Sequence, residues 1–324
     1  MIFTPLAFVA LTALPQPAAT RLAVAKALPV LRAAADGHVE KRSCYGCHNQ
    51  AFPVMAFHAA AGKGFEPSGT LFAEQAEHVL RFLAENKEKF RTGQGTGGQV
   101  DTAGYALLTL ELAGHKPDDR TEAVAEYLVK TQADRGYWKT VSNRPPSEAS
   151  DFTATYLALR GLRVWGGKEQ KERAEKRLKA AREWLLKTKP KDTEDRVFRL
   201  FGLKEAGVEA MEVGAAAWEL LKTQRADGGW GQLDGMTSDA YATGTALVAL
   251  HDAGGLRPDH PAYSRGVAFL LKMQEADGSW WVKSRSKPFQ PYYEGGFPHF
   301  KNQFISSAAS GWAATALAYA SGKK

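Results

Sequence analysis

The sequence predicts an all-α fold, an α6/α6 toroid in which six helical hairpins close into one ring. Three observations predict it: a short helical motif recurs along the chain, a glycine-containing loop ending in tryptophan follows three copies, and an alanine-rich apolar segment follows each loop. Recurrence of one unit along a chain is typical of a repeat fold. The composition, 44% hydrophobic and 24% charged, is that of a globular protein with a large core.

The repeated motif ends an amphipathic segment. Its copies read LVKTQ, LLKTK, LLKTQ and LLKMQ at residues 128–132, 185–189, 220–224 and 270–274. The loops read QADRGYW, QRADGGW and QEADGSW at residues 132–138, 224–230 and 274–280. Asp-Gly favours a turn, the glutamine can hydrogen-bond the start of the next helix, and the tryptophan can pack beside it.

Each hairpin combines an amphipathic segment with an almost wholly apolar one. An amphipathic helix covers an apolar helix when the first faces solvent, so the first segments are outer helices and the second are inner helices. The predicted outer helices are 21–36, 71–88, 121–132, 172–187, 212–224 and 262–274. The predicted inner helices are 49–62, 100–113, 150–165, 193–206, 238–253 and 304–320.

We call the three loops that end in tryptophan the QxDGxW loops, after the glutamine, aspartate, glycine and tryptophan that all three share in this order. They resemble the QW motif of squalene–hopene cyclases and related terpenoid cyclases. The resemblance covers most of residues 71–320 and implies the α/α toroid shared by terpenoid cyclases and protein prenyltransferases. It implies little about activity, because one common fold can carry many chemistries.

The acidic and metal-binding motifs of that family are missing. No DxDD motif is present, and Asp118-Asp119 lies in a helix-entry turn that predicts a cap. In prenyltransferase β subunits an Asp, a Cys and a His bind zinc. Asp239 could occupy the Asp position, but Tyr241 stands where the thiolate is expected. Both absences argue against isoprenoid cyclisation and protein prenylation, and the sequence leaves open whether the protein is an enzyme.

Five residues remain as catalytic candidates. Asp101, Asp151 and Asp239 each open an inner helix, where a carboxylate can cap backbone N–H groups. The same helix ends can also line one mouth of the ring and contact a ligand there. Tyr241 and Glu294 complete the set.

The pentapeptide Cys44-Tyr45-Gly46-Cys47-His48 matches CxxCH, the attachment motif of c-type haem. Two thiols at this spacing can add across the two vinyl groups of haem, and the adjacent histidine can bind the iron as proximal ligand. These are the only cysteines in the chain. A thioredoxin-like redox pair, a zinc site, a disulfide and free thiols are the alternatives.

A wider resemblance supports haem. Residues 40–57, 238–254 and 289–313 are similar to segments of exported bacterial proteins that join CxxCH to a cyclase-like toroid. That resemblance implies one covalent haem c. The repeat predicts that the haem lies at the mouth of the ring, because the motif lies at the end where the QxDGxW loops open.

His299 is the predicted distal ligand of the iron or a distal-pocket group, with Met55 and His58 as the local rivals. In a closed ring the sixth loop, which carries His299, neighbours the first. On a continuous helix His48 and Met55 would lie about 10 Å apart, whereas trans ligands of one metal are about 4 Å apart.

The first twenty residues predict an export signal, with an apolar run, 2–14, followed by small residues. The expected mature chain, 21–324, is one toroid domain in the periplasm or outside the cell, without a transmembrane span. The net charge is +7, and much of the basic charge lies between Lys168 and Arg196, where Lys, Arg and Glu alternate on a helical pattern that indicates a solvated face. No nucleic-acid partner is predicted.

The sequence therefore predicts an exported toroid with one haem that carries electrons or acts on a hydrophobic ligand in the cavity. Its electron-transfer partner is unknown. The alternative is a haem-free enzyme like the terpenoid cyclases or prenyltransferases, or a binding module, for a hydrophobic isoprenoid-type ligand.

Overall fold

The protein is built from helical hairpins. The computed structural model describes residues 16–66, 69–287 and 292–322, and the regular structure in these ranges is helical apart from one isolated bridge between Arg144 and Glu148. The all-α prediction is confirmed.

Outer and inner helices alternate along the chain. The outer helices are α1 (Gln16–Lys41), α3 (Leu71–Glu85), α6 (Asp119–Lys130), α8 (Lys171–Lys187), α10 (Ala210–Leu221) and α12 (Pro261–Met273). The inner helices are α2 (Ala51–Ala61), α5 (Gln99–Leu112), α7 (Asp151–Trp165), α9 (Thr193–Glu205), α11 (Ala240–Asp252) and α13 (Gln303–Ala320). A short helix, α4 (Lys87–Arg91), follows α3.

All six predicted hairpins are present, and the largest difference in bounds is in the first. Helix α1 begins at Gln16, so the last five residues of the expected export signal are helical. The rest of that signal, residues 1–15, lies outside the described residues. Thr20 in this part of α1 is fully buried.

The inner helices form a closed ring. Each packs against the next in the order α2, α5, α7, α9, α11, α13, and α13 packs in turn against α2. Small residues permit this crowding: a Cβ at Gly311 of α13 would lie 2.6 Å from the Phe52 Cβ of α2. A glycine is therefore needed where the first and last inner helices meet.

The three QxDGxW loops share one geometry. The indole N–H groups of Trp138, Trp230 and Trp280 donate to main-chain carbonyls ten residues earlier, at 2.9, 3.1 and 2.8 Å. The side chain of Gln224 donates to the Ala262 carbonyl in the first turn of α12, as predicted, and that of Gln274 donates to the Ala23 carbonyl of α1. The second and third loops thus tie α10 to α12 and α12 to α1.

Aromatic side chains fill the centre of the ring. Phe198 of α9 and Trp312 of α13 have ring centroids 6.3 Å apart, although α9 and α13 are not neighbours in the ring. Phe52 and Phe201 also contact Trp312. Contacts between non-neighbouring helices place these rings in the lumen, so the lumen at this level is a packed core.

None of the helices that the structure describes is long and apolar enough to cross a bilayer.

Candidate functional site at the mouth of the ring

A cavity of about 460 Å³ opens at the end of the ring where the inner helices begin. We call it the mouth cavity. Its walls come from the loops that precede α2, α5, α7 and α13. Tyr45, Phe82, Phe304 and Ile305 supply apolar wall, and Arg42 contributes a cation. Its volume lies within the range of roughly 300–1,000 Å³ that is typical of small-molecule sites.

Two histidines hold the 44–48 loop in place. The Nε2 atoms of His38 and His78 lie 2.7 and 3.2 Å from the carbonyl oxygen of Cys44. Burial lowers the pKa of His38 to about 4, so its ring is neutral at pH 7. A Cβ at Gly46 would lie 2.5 Å from the His38 ring. The glycine between the two cysteines is therefore required by this close approach.

Both cysteines line the mouth cavity as free thiols. Cys44 is exposed, whereas Cys47 is buried and its thiol donates to Glu148 Oε1 at 3.2 Å. Burial, with the nearby Glu148 carboxylate, raises the pKa of Cys47 well above its ordinary value. In the thiol state, Cys47 is a weak nucleophile.

His48 points at the same carboxylate. Its Nε2 lies 3.9 Å from Glu148 Oε1 and 3.5 Å from Ser147 Oγ. Burial lowers the pKa of His48, so the imidazole is neutral and can act as a ligand through a ring nitrogen. Its ring also packs against Phe304, with centroids 5.9 Å apart.

Glu148 was not identified from the sequence. Its carboxylate is 1% exposed and forms an ion pair with Arg144, whose Nη2 atom lies 2.8 Å from Oε2. The main chains of the two residues also bond to each other, at 3.1 Å in both directions. The available signal was the loop between Trp138 and Asp151, which has twelve residues where the loop between Trp230 and Ala240 has nine.

The three aspartates that open inner helices lie in helix entries and do not line the mouth cavity. Asp239 caps α11 by accepting from the Ala242 N–H at 2.9 Å. Asp151 follows the cap of α7 and accepts from the Thr140 N–H at 3.0 Å, while Asp101 accepts from the Thr140 hydroxyl at 2.7 Å. Of the two interpretations offered by the sequence, the capping role is observed for Asp239.

Buried acids nevertheless surround the mouth. Burial raises the pKa of Asp101 to about 7 and that of Asp239 to about 6. Burial also raises the pKa of Glu194 well above its ordinary value. Glu194, which sequence reasoning missed, accepts from the hydroxyls of Thr153 and Tyr241 at 3.0 and 3.3 Å. These contacts hold Tyr241 inside the ring, away from the cavity wall.

The remaining candidates lie around the first and sixth hairpins. Glu294 is exposed, and its carbonyl accepts from Lys41 at 2.7 Å, which confirms that the sixth loop neighbours the first. His299 is not among the residues that line the cavity, and its Nε2 lies 2.7 Å from Ser279 Oγ. Met55 is half-buried on α2 and packs against the core.

Comparison with known proteins agrees with the fold. The squalene–hopene cyclase C-terminal domain matches residues 193–311. Drimenyl diphosphate synthase of Streptomyces showdoensis is 30% identical over 211 residues, which cover 59% of this chain and 37% of that protein. Squalene–hopene cyclase of Bradyrhizobium diazoefficiens is 38% identical over 95 residues, which cover 25% of this chain and 14% of that protein. The chain therefore spans well under half the length of these relatives.

Solved structures with the same fold include the type II terpene cyclase MstE from Scytonema and a protein from Actinoplanes. MstE aligns with a TM-score of 0.59 and 15% identity over 95% of this chain and 99% of that chain. The Actinoplanes protein aligns with a TM-score of 0.55 and 13% identity over 91% and 99%. The protein thus has the terpenoid-cyclase type of α/α toroid.

Proposed function

We propose that the protein binds a hydrophobic, isoprenoid-type ligand in the mouth cavity. The observation that carries this is the contrast between a packed lumen and an open mouth. Aromatic rings pack the lumen at the level of Trp312, whereas the mouth holds about 460 Å³ of space whose walls are partly apolar. The names of the relatives support the chemistry: one is a diphosphate synthase, and MstE has been solved with geranylgeranyl dihydroxybenzoate.

The charge at the cavity suggests which end of the ligand is polar. Arg42 lines the cavity and stacks its guanidinium over the Tyr293 ring at 4.0 Å. Phe82, Phe304 and Ile305 offer apolar surface within the same space. An amphiphile with an apolar chain and an anionic end would use both, because guanidinium groups suit phosphate and carboxylate oxygens.

The proposal is for binding, because the acids needed for protonation lie elsewhere. Protonation of an alkene requires a carboxylic acid that touches the substrate. Asp101 and Asp239 are buried acids with raised pKa values, but neither lines the cavity.

Calorimetric titration of the purified protein with farnesol and with farnesyl diphosphate tests this function. One equivalent of each should bind, the diphosphate more tightly because of Arg42, while inorganic pyrophosphate alone should bind much more weakly. Arg42→Gln should reduce the preference for the diphosphate about tenfold, the loss of one hydrogen bond to a charged group. No heat with either lipid would reject the proposal.

Covalent haem c is the second candidate. The observation that favours it is that Cys44, Cys47 and His48 line one cavity and that both cysteines are free. These residues fit the group, since the thiols would attach it and His48 would bind its iron. Arg42 and Arg144 line the same space and suit its propionates. Haem would supply redox chemistry, and the protein would then be an exported electron carrier or redox enzyme with an unidentified partner.

An absorption spectrum after export from a host with c-type cytochrome maturation tests the haem proposal. The predicted result is a reduced α band that survives acid–acetone extraction in the wild type and is lost in the double variant Cys44→Ser/Cys47→Ser. If a control cytochrome matures in the same cells and this protein carries no haem, the proposal fails.

A further inference from the structure

We propose that Cys47, His48 and Glu148 form a binding site for a zinc-type divalent cation in the wall of the mouth cavity. The sulfur, imidazole nitrogen and carboxylate oxygen lie within 4.8 Å of one another. This site does not depend on an isoprenoid ligand, and it brings together residues one hundred positions apart in the sequence.

The distances between the ligand atoms suit a single metal ion. Cys47 Sγ and Glu148 Oε1 are 3.2 Å apart, and His48 Nε2 and Glu148 Oε1 are 3.9 Å apart. In a tetrahedral site with metal–ligand bonds of about 2.0–2.3 Å, neighbouring ligand atoms are separated by roughly 3.3–3.8 Å. The two separations that involve Glu148 Oε1 are thus already close to the spacing that one ion would impose.

Each ligand is held from behind. Arg144 pairs with Glu148 Oε2 at 2.8 Å, which leaves Oε1 directed at Cys47 and His48. Cys47 and His48 are fixed by the entry to α2, where the Ala51 N–H donates to the Cys47 carbonyl at 3.0 Å. Partners of this kind orient metal ligands and raise affinity. Glu148 and Cys47 are buried, so a cation would balance the charge of the carboxylate and thiolate where solvent screens them little.

The donor set points to zinc. A thiolate and an imidazole favour zinc-type ions over the hard cations calcium and magnesium, which prefer oxygen ligands. Three protein ligands leave one position open, the arrangement found in catalytic rather than structural zinc sites. Cys44 lies outside the cluster, while Cys47 and His48 line the mouth cavity, so a ligand in the cavity would lie beside the ion. On binding, the ion replaces the Cys47 thiol proton, which passes to solvent.

Metal and haem exclude each other at this loop. Attachment of haem converts the Cys47 thiol into a thioether, which cannot supply the thiolate that the ion requires. The metal site therefore belongs to the chain whose cysteines are unmodified, as produced in a cytosol without haem attachment.

Titration with Co²⁺ of the full-length protein, made in that way and stripped with chelator, tests the site. The wild type should bind one equivalent, produce a thiolate-to-cobalt charge-transfer band and lose it to added Zn²⁺. Cys47→Ser should lose the charge-transfer band, and Glu148→Gln should lose stoichiometric binding. The matched controls Cys44→Ser and Glu294→Gln should keep both. Circular dichroism and melting curves establish that each variant is folded.

Either of two results overturns the assignment: a wild type that gives no charge-transfer band, or a Cys44→Ser variant that loses the site while folded Glu148→Gln retains it. The second result would place the ion on the two cysteines instead. Farnesol titration of the metal-free protein distinguishes the two proposals. Lipid binding can persist when the metal site is absent, and metal binding can persist when the lipid does not bind.

Discussion

Single residues around the mouth show how burial sets charge state. Asp101 is fully buried in the first turn of α5, where the Thr140 hydroxyl provides a hydrogen bond but no countercharge. Its pKa of about 7 in the folded chain exceeds its ordinary value of 3.8. The folded state therefore holds a proton that the unfolded chain releases, and the free energy of unfolding falls as the pH rises from about 4 to 7.

Asp101→Asn removes that dependence, because the amide keeps an acceptor for Thr140 and carries no charge. The measured quantity is the unfolding free energy of the variant minus that of the wild type. This difference should be larger at pH 8 than at pH 5 by roughly 2 kcal/mol. Urea denaturation at the two pH values measures this. Asp234→Asn, at an exposed position, is the control and should show no such gain. Equal effects of Asp101→Asn at both pH values would contradict the account.

At this scale the sequence predicts the 44–48 loop but not its surroundings. A motif such as CxxCH is local, so its residues can be identified without the fold. Glu148 approaches Cys47 only through tertiary packing, and His38 and His78 reach the Cys44 carbonyl from α1 and α3. The order of hairpins in the ring is likewise too coarse to locate a side chain. The sixth loop lies beside the first hairpin, but His299 does not line the cavity.

At the scale of elements, the QxDGxW loops join neighbouring outer helices. Gly278, in the third of these loops, has φ of 95° and approaches α1 so closely that a Cβ would lie 2.3 Å from the Lys26 carbonyl oxygen. This contact lies where the sixth hairpin meets the first. Closing the ring thus depends on a glycine at one turn.

Gly278→Ala should destabilise the protein by about 1–3 kcal/mol more than Gly255→Ala. Both glycines have positive φ, but a Cβ at Gly255 meets nothing within 4 Å. The control thus carries the backbone strain without the clash with α1. Thermal melting of both variants measures the difference. Equal melting temperatures would show that this contact does not hold the ring closed.

The hairpins could be predicted from the sequence because amphipathic and apolar segments alternate locally. The predicted outer helix 71–88 runs through the break at Asn86 and includes only the first two residues of α4, because Asn86 carries no Gly or Pro signal. Cap details also needed the structure: Ser150, one residue before Asp151, caps α7 with its hydroxyl. The choice between neighbouring polar residues at a helix start depends on main-chain dihedrals that the sequence pattern does not give.

In the whole molecule, the packed core and the candidate binding cavity lie at different depths along the ring axis. The lumen is filled by aromatic rings, while the mouth retains a cavity bordered by the 44–48 loop and the loop that carries Glu148. Ring closure could be predicted by counting hairpins. The filled lumen could not, because the direction of each aromatic side chain depends on the rotation of its helix.

The central claim is that the mouth cavity binds the hydrophobic ligand. Titration of farnesol into Phe304→Ala and Phe300→Ala tests it most directly, since Phe304 lines the cavity and Phe300, 77% exposed, does not. The account predicts that Phe304→Ala weakens binding about tenfold through lost apolar contact, while Phe300→Ala leaves the wild-type affinity unchanged. Wild-type affinity in the Phe304→Ala variant, or weakening by Phe300→Ala alone, would contradict it.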